Sequence, residues 1–188
     1  EERFHLDKPV WEQFLIYLGN IFQGDFGISL KTGRNISQTI FDSFSISAIL
    51  GGTSIVVALV LGLFFGCLAA IKRNSWVDRV IIFFSTLFVA VPSFVLATIL
   101  LLVFCLLLAW LPVWTPTPTP VNYILPVIAL ALYPMSYIIR LTKSSMLDVL
   151  GQDYIRTARA KGVSEGKIIF KHALKNALTP IITYIGPL

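Results

Sequence analysis

Two long stretches of the chain contain no charged residue and are dominated by apolar side chains. The first covers residues 43–71, and the second covers residues 80–139. A helix of about 20 apolar residues is enough to cross the hydrocarbon core of a bilayer, and both stretches are longer than that. The pattern predicts an all-α fold in which several helices cross a membrane.

The breaks between apolar runs predict four membrane helices. They are expected at 46–71, 77–111 and 123–141, with a fourth beginning near residue 177. The second is too long for one perpendicular crossing, so it either tilts strongly or turns before Pro92. The third carries Pro126 and Pro134. In the first, Gly62 and Gly66 have the GxxxG spacing of closely packed helices, although incidental glycines on a lipid-facing helix explain them equally well.

The first 45 residues follow a different pattern. Apolar side chains recur at helical spacing over 9–23, which predicts an amphipathic helix, and a turn-rich stretch with three glycines follows. We therefore predict an extracytoplasmic segment at 1–45 and a transmembrane domain at 46–188. Asp25 has no second carboxylate or histidine at usable spacing, so we interpret it as the cap of a turn.

Composition and charge give the orientation. Hydrophobic residues make up 56% and charged residues 13% of the chain, against about 25% charged in soluble domains. Basic residues cluster at 72–79 and 140–175, whereas the loop at 112–122 has none. Because loops rich in Lys and Arg stay in the cytoplasm, the two basic clusters are predicted to be cytoplasmic and the 112–122 loop external.

The two ends of the sequence suggest further helices. The chain does not begin with Met, and it stops inside an apolar run. Since an external start must be carried across the membrane by something upstream, we expect at least one N-terminal span, and further C-terminal helices, to lie outside this sequence.

Residue types that enzymes use for catalysis are sparse. The histidines are His5 and His172, the cysteines are Cys67 and Cys105, and none has partners at metal-binding or catalytic spacing. The chain has no G-x-x-x-x-G-K-[ST] phosphate loop, and its predicted spans lack the charges that proton relays and ion-coupled carriers use. We predict no catalytic site, no metal and no cofactor in this chain, and an energy source held elsewhere.

The polar segment 153–180 has the features of two short helices joined by a tight turn. Asp153 is placed to start a helix, with its negative charge near the N-terminus. Gly162 suits the left-handed position that ends a helix. Ser164 is a second N-cap candidate, with Glu165 in the following first turn. The pattern therefore predicts a helix–turn–helix unit bent at Gly162.

This unit is interpreted as a docking element. Its charge alone would suit a solvated loop or a patch for anionic lipids. The defined caps and the glycine hinge favour a surface for another protein instead, because Ala158 and Ala160 permit close approach between the charges of Arg156, Arg159 and Lys161.

The same segment resembles the cytoplasmic EAA loop of permease subunits of ATP-binding-cassette importers, in the dipeptide/oligopeptide/nickel branch. The motifs that carry the resemblance are GDFGIS at 24–29, SWVD at 75–78, VPSF at 91–94, RLTKSSMLDVLGQDYIRTARAKG at 140–162 and HALKNALTP at 172–180. They cover nearly the whole chain. Two positions depart from the general loop pattern: Arg156-Thr157-Ala158 stands in place of Glu-Ala-Ala, and Lys175 in place of Pro.

The resemblance implies a type I ABC-importer transmembrane domain with a coupling loop at 150–176. It implies multi-pass insertion in a bacterial-type cytoplasmic (inner) membrane, with a second homologous permease subunit, two cytoplasmic ATPase subunits that bind the ATP, and an extracytoplasmic substrate-binding protein as partners; no nucleic acid is expected. The residues expected at the ATPase-coupling interface are Tyr154, Arg156, Ala158, Arg159, Ala160, Lys161, Gly162, Ser164 and Glu165. Candidate pore or kink positions are Pro92, Pro126 and Pro134, since backbone groups freed by proline need polar partners.

The function implied is ATP-driven uptake of di- or oligopeptides across the membrane. A nickel or glutathione importer permease of the same family is an alternative substrate assignment. An ion-coupled secondary carrier and a non-transporting membrane scaffold are the alternatives from other classes, and the uncharged spans argue against the carrier.

Overall fold

The computed structural model describes residues 8–115 and 118–186, and the regular elements in this part of the chain are all helices. Only an isolated bridge between Ile28 and Asn35 has β character there, which confirms the predicted all-α class. The helices are α1 (Val10–Phe22), α2 (Ile36–Ile71), α3 (Trp76–Ala90), α4 (Ser93–Leu101) with a π-helical continuation (Leu102–Leu107), a 3₁₀ turn (Pro120–Tyr123), α5 (Ile124–Leu150), α6 (Asp153–Ala160), α7 (Glu165–Lys167), a second π-helical segment (Ile168–Ala173) and α8 (Leu174–Ile185). His5 lies outside the described residues.

The described chain forms two compact units that divide between Ile49 and Leu50. In the first unit, α1 matches the predicted amphipathic helix. The following turns use Gly24 and Gly27 at positive φ, and the Asp25 carboxylate accepts a hydrogen bond of 2.9 Å from the Gly27 amide. Asp25 therefore closes a turn, as its sequence context predicts.

Two helical stretches are long and apolar enough to cross a membrane, Ile36–Ile71 and Pro120–Leu150. A third crossing is possible if Trp76–Ala90 and Ser93–Leu107, which meet at 103°, act as one broken span. The break confirms the predicted turn before Pro92. Proline has no N–H and forces the preceding residue out of the α region, and Val91 is accordingly extended. The fourth predicted span stays a prediction.

Two helices extend beyond the spans that the sequence predicts. Helix α2 begins at Ile36, before the span expected at 46–71, and α5 continues to Leu150, beyond the span expected at 123–141, because charged residues limit the apolar core but do not stop a helix. The second helix of the 153–180 segment, predicted to be short, instead runs without interruption from Glu165 to Ile185, because the change from basic to apolar side chains brings no capping residue with it.

The second unit is held together by a close approach between α2 and α5. A Cβ added to Gly62 would lie 2.6 Å from Ile138 Cγ2, and one added to Gly66 would lie 2.5 Å from Thr142 Cβ. Only glycine permits such a separation, so the GxxxG pair is a packing surface rather than incidental. A core cluster forms around this crossing, made of Ala58, Ala131, Met135, Ile138, Ile139 and Ile181.

Replacing Gly66 with alanine is expected to lower the free energy of unfolding by about 1–3 kcal/mol, because the new methyl group overpacks the helix contact. The added Cβ would also meet the Ile139 carbonyl oxygen at 2.8 Å, and backbone cannot rotate away as a side chain can. Thermal unfolding of the full-length subunit in detergent measures the effect. Gly52→Ala on the same helix is the matched control, since nothing lies within 4 Å of its added Cβ; equal unfolding midpoints for the two variants would contradict the packing role.

Candidate functional site

The helix–turn–helix unit begins where the sequence predicts. Helix α6 starts at Asp153, so this carboxylate lies in the first turn, where the helix dipole favours negative charge. The preceding Gln152 has the extended backbone of an N-cap residue but makes no side-chain capping bond. The side chain that stabilises the start of α6 is therefore Asp153, through its charge, and not a capping hydrogen bond from Gln152.

The turn at Gly162 has the hydrogen bonds of a Schellman motif. The Gly162 amide donates to the Arg159 carbonyl at 2.9 Å, and the Val163 amide donates to the Ala158 carbonyl at 3.1 Å. Gly162 adopts φ +77°, and nothing lies within 4 Å of the Cβ it lacks. The predicted left-handed helix end is therefore confirmed, and only the backbone conformation makes glycine the favoured residue there.

An ion pair bridges the turn. The Arg159 guanidinium donates from Nε to Glu165 Oε1 at 2.7 Å and from Nη2 to Glu165 Oε2 at 3.2 Å. These hydrogen bonds lower the pKa of the Glu165 carboxyl below its ordinary value and raise the pKa of Arg159 above its own. Ser164 takes the extended N-cap conformation of the next helix, although its hydroxyl makes no capping bond. The two-pronged geometry fixes the angle between the helices more than it adds stability, because both groups are solvent-exposed.

Helix α6 is fastened to the long helix that follows. It contacts the π-helical segment Ile168–Ala173, and Ile155 and Ile168 are both completely buried. Farther along, the Asn176 side chain donates a hydrogen bond of 2.9 Å to the Tyr154 hydroxyl. The unit is therefore braced on both sides of its turn, by buried side chains before α8 and by a hydrogen bond to α8 itself.

The residues predicted for the interface fall into two groups. Most are exposed, namely Tyr154, Arg156, Arg159, Ala160, Lys161, Gly162, Ser164 and Glu165, whereas Ala158 is half-buried. The sequence-based reasoning missed Ile155, Ile168 and Asn176, which hold the unit together. Ile155 had a detectable signal, since it is the one large aliphatic side chain in an otherwise polar helix.

Beneath the unit, a small-residue cluster joins it to the ends of two other helices. Its buried members are Cys67, Ala70, Met146, Ala173 and Ala177, from α2, α5, the π-helical segment and α8. Four of these five side chains are small, which lets the helices approach closely. The segment that follows the turn at Gly162 therefore packs directly against α2 and α5.

A charged pair that the sequence did not reveal ties the first basic cluster to α5. Lys143 Nζ donates to Asp78 Oδ1 at 2.6 Å, and the Asn74 amide donates to Asp78 Oδ2 at 3.0 Å. The side chains retain only 7% exposure for Asp78 and 22% for Lys143. Ser75 caps α3 just before, accepting a bond from the Asp78 amide. The SWVD turn thus holds the start of α3 against the C-terminal part of α5.

The three prolines proposed as pore or kink positions have different structural roles. Pro92 begins α4 after the broken span, and Pro134 lies inside α5. Pro126 does not kink a helix, because it stands in the first turn of α5, where the missing N–H costs no helical hydrogen bond. It instead forms part of the wall of an apolar cavity of about 410 Å³ between α4, the 112–114 stretch and α5.

In the ranges 8–115 and 118–186, no three or more His, Cys, Asp or Glu side chains are grouped so that they could hold a metal ion. An exposed, braced and basic helix pair of this kind is suited to receiving a protein partner.

Comparison with known proteins identifies a family whose sequence pattern this chain matches. Residues 58–187 match the model of a family described as binding-protein-dependent transport system inner membrane components. The chain is 45% identical over 189 aligned positions to the dipeptide transport system permease protein DppB of Bacillus subtilis, and 43% identical over 189 to the oligopeptide transport system permease protein OppB of Haemophilus influenzae. Both alignments cover 100% of this chain.

A third relative is the glutathione transport system permease protein GsiC of Escherichia coli O1:K1, 38% identical over 185 positions and 98% of this chain. The chain spans about three fifths of these relatives, with 61%, 62% and 60% of their lengths covered. The similarity therefore extends over essentially the whole chain but only part of each relative.

Proposed function

The chain belongs to the family of binding-protein-dependent transport system inner membrane components, and we propose that it acts as a transmembrane permease subunit of an ATP-driven importer of di- or oligopeptides. The observation that carries this proposal is the similarity, over the whole of this chain, to permeases named for dipeptide and oligopeptide transport. The resemblance to this class of permease, given by the 140–180 block, is confirmed by the family match.

The coupling site of this subunit is the helix–turn–helix unit, with Tyr154 to Glu165 as the surface that meets an ATPase subunit. Three features support this assignment: the exposure of the unit, its Schellman turn and the Arg159–Glu165 ion pair. A docking element must keep its conformation when its partner moves against it, and the turn and the ion pair hold that conformation. The small-residue cluster beneath it supplies the route by which ATPase closure would rock the membrane helices between outward and inward access.

The chain has no catalytic role in this scheme. ATP is bound by two cytoplasmic ATPase subunits, a second permease subunit completes the pathway, and an extracytoplasmic binding protein delivers the substrate. The subunit lies in the cytoplasmic membrane with its basic clusters inside, as the distribution of Lys and Arg predicts. Glutathione is the alternative substrate, because one relative is named for glutathione transport.

Uptake by proteoliposomes that contain the full-length subunit and its partner subunits tests the proposal. Labelled dipeptide, oligopeptide, glutathione and nickel are offered in parallel with the matching binding protein. We expect peptide accumulation that needs internal ATP, is blocked by orthovanadate and is unaffected by a protonophore. Accumulation that resists vanadate and collapses with the protonophore would establish an ion-coupled carrier instead, and preference for glutathione or nickel would reassign the substrate.

A further inference from the structure

Helices α5 and α8 together present an exposed surface that carries three tyrosines, Tyr133, Tyr137 and Tyr184, called here the tyrosine face. The rings of Tyr137 and Tyr184 are stacked, with centroids 4.2 Å apart and planes at 24°. Tyr133 lies one turn before Tyr137 on α5, and these two side chains are 53% and 41% exposed. The face thus joins two packed helices into one continuous aromatic and polar surface.

Tyr133 lies deep in the candidate span of α5, and Tyr184 lies at a similar depth in the fourth span that the sequence predicts. At about 1.5 Å per residue, Tyr133 is about 14 Å along α5 from Ile124, and Tyr184 is about 14 Å along α8 from Lys175. Each distance is about half of a hydrocarbon core of about 30 Å. Tyrosines that anchor a protein in its bilayer stand at the two interfaces, so this depth does not match an anchoring role.

The phenol hydroxyls of the face have no hydrogen-bond partner within the part of the chain that the structure describes. A polar group left unpaired in hydrocarbon costs several kcal/mol. The surface is therefore poorly suited to lipid tails, and it needs an occupant that donates or accepts hydrogen bonds.

Helix α2 shows what a lipid-compatible surface of this protein looks like. Its exposed side chains Val56, Val60 and Phe64 follow one another at one-turn intervals and carry no polar atom. The contrast between this face and the tyrosine face separates two environments on the same molecule, one apolar and one able to hydrogen-bond.

The tyrosine face also offers a carbonyl. Pro134 has no N–H to donate to the carbonyl of Leu130, one turn before it, and Leu130, three positions before Tyr133, is an exposed residue. Hydroxyls donate and accept while a carbonyl accepts, which are the groups that complement a peptide main chain. Because the face carries no charge, it does not distinguish acidic from basic peptide side chains.

We propose that Tyr133, Tyr137 and Tyr184 line the translocation pathway and hydrogen-bond the main chain of the peptide in transit. This assignment rests on the proposed function and names the residues through which the subunit contacts its substrate. It explains how a permease passes many peptide sequences, since contacts to the main chain are common to all of them.

Cysteine labelling in the reconstituted full-length complex tests the location. In a Cys105→Ser background, in which Cys67 is buried, Tyr133→Cys and Tyr137→Cys probe the face, and Val60→Cys is the matched control on α2. A charged, water-soluble thiol reagent is expected to label the two face positions and spare the control. Transported peptide at twice its dissociation constant is expected to slow that labelling about threefold, as simple occupancy requires.

Removal of a hydroxyl tests the chemistry. Tyr133→Phe and Tyr137→Phe keep the rings in place, and each is expected to raise the KM for peptide uptake about three- to tenfold at unchanged maximal rate, the effect of one lost hydrogen bond. An unchanged KM, or labelling that peptide does not slow, would overturn the proposal. Disulfide crosslinks from Tyr133→Cys to the second permease subunit, without labelling, would reassign the face as a subunit interface. Failure of the unsubstituted complex to take up peptide would count against the proposed function, not against the face.

Discussion

Replacing Gly162 with valine is expected to lower ATP-dependent uptake by about fivefold or more, while the subunit still inserts in the membrane. Gly162 holds φ +77°, a conformation that a β-branched residue adopts only with strain of about 1–3 kcal/mol. If the turn leaves this conformation to relieve the strain, the population of docking-competent loops falls by about 5–150-fold. The Schellman hydrogen bonds and the Arg159–Glu165 ion pair depend on the same turn and would be lost with it.

The measurement is uptake and ATP hydrolysis by the complete complex in proteoliposomes, normalised to the amount of inserted subunit. Two control substitutions distinguish the effect of the turn conformation from the effect of adding a side chain. Gly162→Asn keeps activity close to wild type, because Asn tolerates the left-handed region. Gly166→Ala does the same, because Gly166 is helical with open space around it and alanine favours helix. Normal uptake by Gly162→Val would remove the docking role of this turn.

The contrast between Gly162 and the GxxxG pair shows which backbone features a sequence can reveal. A glycine between two helix-forming runs has few roles other than a left-handed helix end, so the turn was predictable. Gly62 and Gly66 fit a packed and a lipid-facing helix equally well, and only the positions of Ile138 and Thr142 decide between them. The continuous helix from Glu165 to Ile185 was missed because the change from basic to apolar side chains marks a change of environment, not of backbone conformation.

Long-range partners are the least predictable part of the candidate site. Asp78 and Lys143 are 65 positions apart, and several basic side chains of the 140–175 cluster were equally available to Asp78 from the sequence alone. The choice among them is made by the way α3 lies against α5. In the same way, the hydrogen bond from Asn176 to Tyr154 depends on where the turn at Gly162 directs α6.

The Asp78–Lys143 ion pair is expected to have the largest effect on stability. Removing one member of a buried ion pair leaves an uncompensated charge and lowers the free energy of unfolding by about 3–5 kcal/mol. Because Lys143 is still partly exposed, we expect a loss near the lower end of that range. We therefore expect Asp78→Ala and Lys143→Met each to lower the unfolding midpoint of the full-length subunit in detergent. The double substitution Asp78→Ala/Lys143→Met should lie closer to wild type than either single one, because no unpaired charge remains.

Arg156→Gln provides the matched control, because it removes a charge from an ion pair with Asp153 that is 3.5 Å long and whose side chains are 74% and 96% exposed. Its cost should stay below about 1 kcal/mol. If the Asp78 and Lys143 substitutions add independently in the double variant, the two groups do not stabilise each other. If they are coupled and the double variant nevertheless transports poorly, the ion pair does more than stabilise the fold: it holds α3 to α5, so that movement of the coupling unit reaches both helices together.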